Sequence, residues 1–173
     1  MKIETEIEFP RNHAPIHLDL IQGAKEAGAD CVKFQKSNLS AKFTQASLER
    51  AYNSENSYGS TYGEHKGRLE LSEQTYGELI EFAKSQQIPM TASAMDLDSI
   101  DFLVNQLKVP FIKIGSGDSN NPLVLQKVAK LTEVNAVVST GMCNAKELNG
   151  IVQVWSLSHV FFSKDGEARQ RTR

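Results

Sequence analysis

Short apolar runs of β-type residues alternate along the chain with longer stretches in which apolar residues recur at helical spacing. The runs are Cys31-Val32-Lys33-Phe34, Ile88-Pro89-Met90-Thr91, Phe111-Ile112-Lys113-Ile114 and Ala136-Val137-Val138-Ser139, each bounded by Gly, Pro, Asn, Asp or Ser. Their near-continuous hydrophobicity predicts strands covered on both faces, as in a parallel sheet. Ile3 to Ile7, which alternates with Glu4 and Glu6, reads as a preceding strand. Between the runs, Tyr76, Leu79, Ile80 and Ala83 fall at i, i+3, i+4, i+7, as do Ile100, Leu103, Val104 and Leu107, and again Leu148, Ile151, Val152 and Trp155. An earlier helix carries Leu20, Ile21, Ala24 and Ala27, with Gly28 as its stop. Asn121 before Pro122 reads as N-cap and first helical residue, and Asn144 with Glu147 resembles a capping box. The order is therefore βαβαβαβαβα with right-handed crossovers.

One gap breaks the rhythm. Residues 36–71 insert a polar stretch rich in Ser, Tyr, Asn, Gly and charge, and so long a loop in a compact domain is usually a lid, an arm or a disordered insertion. The aromatic residues between Ser57 and Lys66 favour an ordered arm, because disordered linkers tend to lack them.

At 173 residues the chain has single-domain length, short of the roughly 250 residues of a complete (β/α)8 barrel. Lys+Arg at 19 against Asp+Glu at 21 leaves no basic excess for nucleic acid or an anionic membrane. No apolar run reaches the roughly 20 residues of a membrane span and no signal-peptide pattern opens the chain, so a cytoplasmic location is expected. Cys31 and Cys143 form no CxxC and lie in or beside apolar segments, which predicts buried free thiols. His13, His17, His65 and His159 show no metal-ligand spacing, and no Walker loop, nucleophile elbow or GxGxxG is present.

The chemistry collects where strands end, which is where parallel α/β proteins build their sites. The second strand ends in Lys33 and Gln35, the third in Thr91 and Ser93, the fourth in Lys113, Ser116 and Asp118, and the fifth in Ser139, Thr140 and Gly141. Two lysines, several hydroxyls and two glycine-containing turns suit a small anion bearing phosphate or carboxylate, since lysine supplies charge and the hydroxyls and turn amides supply directed donors. Each feature also has an ordinary explanation: a lone GSG is commonly a tight turn, and a strand lysine commonly snorkels to solvent.

These stretches together resemble the sialic acid synthase family. The resemblance rests on Gly28 to Ser37, the arm Thr61-Tyr62-Gly63-Glu64-His65-Lys66, Thr91-Ala92-Ser93-Ala94-Met95-Asp96, Lys113-Ile114-Gly115-Ser116-Gly117-Asp118 and Ser139-Thr140-Gly141-Met142. It runs from about residue 17 to 155, and the arm and the TASxMD stretch look like the animal enzymes. It implies an α/β fold that is part of a (β/α)8 TIM barrel, with about five β/α units over residues 1–155 and without the closing strands. The implied reaction condenses phosphoenolpyruvate with N-acetylmannosamine, or its 6-phosphate, to N-acetylneuraminate or its 9-phosphate. By the family's motifs, Lys33, Ser93, Lys113, Ser116 and Ser139 would hold phosphoenolpyruvate and Gln35 would face the sugar. Asp118 is a candidate for handling a proton or a water. Glu6 corresponds to a candidate acid/base group, although the family's Glu-Ile-Gly-x-Asn-His-x-Gly pattern is altered here by two extra residues and the loss of both glycines.

In that family a divalent metal, manganese or magnesium, orients the sugar aldehyde. Its histidine ligands and most sugar contacts belong to strands six to eight, so no metal ligand is expected in this chain. Residues 156–173 read as a divergent charged tail, with four Lys+Arg and two Asp+Glu from Lys164 onward. The expectation is a chain carrying mainly the phosphoenolpyruvate half-site and inactive alone, with a homo-oligomer possible. The competing reading is a non-catalytic α/β fragment that binds an anion or a partner chain.

Overall fold

The computed structural model describes residues 14–131, 134–141, 143–154, 160–164 and 167–170. Helix α1 (Ala14–Glu26) leads into strand β1 (Val32–Lys36). Three short helices follow, α2 (Leu39–Lys42), α3 (Gln45–Glu49) and α4 (Tyr62–Leu69), before α5 (Glu73–Ser85). The remaining units are β2 (Met90–Ala94) with α6 (Leu97–Asp101), β3 (Phe111–Ile114) with α7 (Pro122–Ala129), and β4 (Asn135–Ser139) with α8 (Ala145–Val154). Strands β5 (Val160–Lys164) and β6 (Glu167–Gln170) complete one sheet in the order β1-β2-β3-β4-β5-β6, parallel from β1 to β5 and antiparallel at β6. Residues 160–164 and 167–170, within the stretch read as a divergent charged tail, pair with the sheet, while the strand expected at Ile3 to Ile7 lies outside the described residues.

Of the helix stripes read from spacing, that of α5 is buried whole and the others in part: Leu20 and Ala27 of α1 are exposed, Val104, Leu107, Leu148 and Val152 are half-buried, and Trp155 lies outside the described residues. Tyr76, Leu79, Ile80 and Ala83 of α5 are buried in one cluster with Ile21, Ile100, Leu103, Val124, Leu125, Val128 and Ile151 from the other helices. The strand residues in that cluster are Val32, Met90, Ala92, Ala94, Ile112, Ile114, Ala136 and Val138. Side chains alternate along a strand, so most of these residues define one face, and the helices cover it.

The other face departs from the expectation of strands covered on both sides. Lys33 and Gln35 of β1 and Asn135 of β4 are exposed, and Lys113, Val137 and Ser139 are half-buried; among β1 to β4, β2 alone is buried along its whole length. A sheet in sequential strand order with helices on one face is singly wound. A doubly wound sheet would carry helices on both.

The caps match the sequence reading. The Asn121 side chain accepts from the amides of Leu123 and Val124 ahead of Pro122. Asn144 Oδ1 accepts from the Glu147 amide at 3.0 Å while Glu147 Oε2 accepts from the Asn144 amide at 2.8 Å. Gly28, with φ of +80°, ends α1 in the left-handed region that glycine enters without cost.

Two details differ. The stripe expected as α-helix over Ile100 to Leu107 opens into a π-helical turn at Phe102–Gln106, closed by the Leu107 amide on the Phe102 carbonyl at 3.0 Å. The turn includes buried Phe102, which a 3.6-residue period does not select and which meets Tyr76 edge-on at 6.0 Å. The cysteines are free, as expected, but Cys31 is exposed just before β1 and Cys143 is only half-buried.

Candidate functional site

Register assembles the strand-end residues. Gln35 on β1 pairs with Ser93 on β2, Ser93 with Lys113 on β3, and Lys113 with Val137 on β4. Paired residues in a parallel sheet share a face, so Gln35, Ser93 and Lys113 form one row across three strands. Lys33 pairs with Thr91 one layer earlier, on the same face. The Thr91 hydroxyl donates to the Phe111 carbonyl, tying β2 to β3 within that layer.

Two cations share this face, Lys33 on β1 and Lys113 on β3. The pKa of Lys113 is lowered, first because partial burial penalises its charged form and second because the Lys33 charge repels it. Its ammonium donates to the Ile114 carbonyl at 3.0 Å. Two lysines on one open face, the charge of Lys33 raising the cost of the charge on Lys113, make a site suited to an anion.

Ser116 sits half-buried in the turn after β3, and that turn is closed internally. The Asp118 amide donates to the Gly115 carbonyl at 3.0 Å, the Ser119 hydroxyl to the Ser116 carbonyl at 2.9 Å, and the Asn121 amide to the Asp118 carbonyl at 3.1 Å. Ser139 ends β4, two positions beyond the row that holds Lys113. Asp118, expected as the carboxylate of this rim, is engaged by Lys42, whose Nζ lies 3.1 Å from Oδ2. Glu6 lies outside the described residues.

Sequence reasoning missed the cations of the arm. Lys42 follows a polar stretch with no periodicity to orient it. For Lys36 a signal existed: it continues the Val32, Phe34 alternation onto the helix-covered face, where a lysine needs a partner. That partner is Glu70 at 2.8 Å, whose Oε1 also accepts from the Ser37 amide at 3.1 Å, while Lys36 Nζ donates further to the Leu71 carbonyl at 3.2 Å. The first and last residues of the insertion are thereby fastened together.

Within it, Tyr62 packs against Phe43 and Tyr52 at ring distances of 5.4 and 5.6 Å, and Arg50 lies 4.5 Å over the Tyr62 ring. A capping box of Thr61 and Glu64 starts α4. The Glu64 pKa is lowered, chiefly by the hydrogen bond from the Ser60 hydroxyl and then by the Ser60 and Thr61 amides. The ordered arm expected from the aromatics is what these contacts build.

A cleft of about 850 Å³ lies at the arm, bordered by Lys36, Arg68, Glu70, Glu73, Asp98 and Phe102. It mixes both signs of charge, and its Lys36 belongs to the face of β1 opposite Lys33 and Gln35. The anion-suited row is the open sheet face, not this cleft. Among the described residues, no helix is long and apolar enough to cross a membrane.

The chain is similar to known proteins in fold and in sequence. The fold is similar to the crystal structure of N-acetylneuraminic acid synthetase from Leptospira borgpetersenii in complex with citrate, with a TM-score of 0.67 and 20% identity over 88% of this chain and 50% of that one. In sequence, the chain is 51% identical over 134 residues to N-acetylneuraminate-9-phosphate synthase of Drosophila melanogaster, which covers 78% of this chain and 36% of the relative. It is 47% identical over 135 residues to the human enzyme of the same name, covering 78% of this chain and 37% of the relative. The chain therefore spans little more than a third of the curated relatives it matches. The NeuB family matches residues 20–170, nearly the whole chain, and to that family the chain belongs.

Proposed function

We propose that this chain carries the phosphoenolpyruvate half-site of a sialic acid synthase, which condenses phosphoenolpyruvate with N-acetylmannosamine or its 6-phosphate. The observation that carries the reading is the placement of Lys33 and Lys113 on one open sheet face, in the layers that also hold Gln35 and Ser93. The singly wound sheet supports its being part of a (β/α)8 barrel, in which that face lines the interior.

In the reaction, C3 of phosphoenolpyruvate attacks the open-chain aldehyde, water adds at C2, and phosphate leaves. Lys33 and Lys113 neutralise the phosphate and carboxylate. Ser93, Ser116 and Ser139 supply directed donors as charge moves onto the departing phosphate. Gln35, exposed at the end of β1, faces the sugar. Asp118 is the carboxylate at this rim for handling a proton or a water. Among the described residues no group of three His, Cys, Asp or Glu stands together, and no step is assigned to the family's divalent metal.

Titration calorimetry with phosphoenolpyruvate tests the reading. Saturable binding that weakens at least roughly tenfold in Lys113→Met supports it, and absence of binding by the folded chain overturns it. Phosphate release on adding the sugar phosphate and manganese would extend it from binding to turnover.

A further inference from the structure

We infer that Lys42, a residue of the arm, is a positioning residue that fixes the Ser116 turn for anion binding by clamping Asp118. The inference rests on the phosphoenolpyruvate reading above. Lys42 Nζ donates to the Met95 carbonyl at 2.8 Å and reaches both oxygens of Asp118, at 3.1 and 3.4 Å. One ammonium thus joins three segments far apart in sequence: α2 after β1, the turn after β2, and the turn after β3.

Further hydrogen bonds reinforce the junction between the turns after β1 and β2. The Met95 amide donates to the Lys36 carbonyl at 3.0 Å, and the Asn38 amide donates to Asp96 Oδ2 at 2.6 Å. Asp118 in turn begins and ends the hydrogen bonds that close the Ser116 turn, through its amide on Gly115 and its carbonyl toward Asn121. Fixing the Asp118 side chain therefore limits how the Ser116 donor moves relative to Lys113, three residues earlier.

The pair is mostly shielded, with side chains 19% and 15% exposed. Removing either partner leaves the other with an unmatched charge in a poorly solvated place. A carboxylate beside Lys42 also cancels its field, so Lys42 differs in kind from Lys33 and Lys113. It organises the site and does not supply charge to the ligand.

The two roles give opposite signs. If Lys42 clamps Asp118, then Lys42→Met and Asp118→Asn each weaken phosphoenolpyruvate binding about tenfold, the scale of one charge-assisted hydrogen bond. The double variant is then no worse than either, and Lys42→Arg restores most of the affinity. If Lys42 acted on the anion directly, Asp118→Asn would free its charge and tighten binding, which overturns the inference.

Hydrogen exchange of the amides from Ser116 to Asn121 reads the clamp without ligand. Faster exchange in Lys42→Met and near-native exchange in Lys42→Arg are expected, and unchanged exchange in Lys42→Met overturns the clamp. Should the unaltered chain fail to bind phosphoenolpyruvate, the functional reading falls and the exchange data alone decide whether the clamp exists. Should Lys42→Met fail to fold, Asp118→Asn and Lys42→Arg carry both measurements.

Discussion

The Tyr76 hydroxyl, buried in the core on α5, donates to the backbone carbonyl of Gln35 at the end of β1. The bond fixes the height at which β1 presents its last exposed side chain to the open face. Burial, and next the nearby Glu70 charge, raise the Tyr76 pKa. Tyr76→Phe leaves the Gln35 carbonyl without this donor and is expected to cost about 1–2 kcal/mol in urea unfolding. A tyrosine whose folded pKa exceeds its unfolded value stabilises fully below the unfolded value near 10, and that contribution is lost as pH rises above it. The parent should lose stability across that alkaline window and Tyr76→Phe should lose less. Parallel slopes would contradict the prediction.

The two lysines of the open face should act as a pair. Lys33→Met or Lys113→Met each removes a charge-assisted contact worth about 1.5–3 kcal/mol, or roughly ten- to a hundredfold in phosphoenolpyruvate affinity. Fold stability should hold or improve in Lys33→Met, because the repulsion on Lys113 disappears. Calorimetry together with thermal melts of each variant makes the comparison.

Anion binding should weaken toward alkaline pH. Lys113 titrates below its ordinary value of 10.5, and phosphoenolpyruvate prefers the protonated form. Affinity is complete below that lowered pKa and falls as pH rises through it. Lys113→Arg moves the fall out of range, because arginine keeps its proton. For the unliganded fold the sign reverses. The folded state holds this proton less tightly than the unfolded chain, so the cost of the charged lysine is relieved between the lowered pKa and 10.5. A binding profile in which Lys113→Arg and the parent coincide would defeat the argument.

The insertion should depend on Glu70. Its carboxylate is the charge that balances Lys36, whose side chain is 11% exposed. Glu70→Ala leaves that ammonium uncompensated and is expected to cost about 3–5 kcal/mol. Lys36→Met together with Glu70→Ala should recover much of the loss. Limited trypsin digestion should cut first at Arg50, Lys66 or Arg68 in the single variant, and a digestion pattern matching the parent would count against the fastening.

The periodic parts of the fold were legible because burial enforces period. The α5 stripe of Tyr76, Leu79, Ile80 and Ala83 went straight into the core, and the four apolar runs became β1 to β4. The open face was misread because near-continuous apolar runs look alike whether one side or two are covered. Lys33 and Lys113, each set inside such a run, were the sign that one side was polar. The site row was legible for the same reason, since alternation and strand length fix which residues share a face. The arm resisted reading because its helices are four to eight residues long and are held by aromatic contacts and ion pairs such as Lys42–Asp118, which follow no period.

The pairing of Gln35 with Ser93 and of Ser93 with Lys113 has a further consequence. Sliding β3 by one residue would turn Lys113 into the core and bring Ile112 or Ile114 to the open face, abolishing the cationic pair while keeping every backbone ladder intact. Affinity for a small anion is therefore a vernier for strand alignment. It would report a misaligned but compact chain that circular dichroism passes as native.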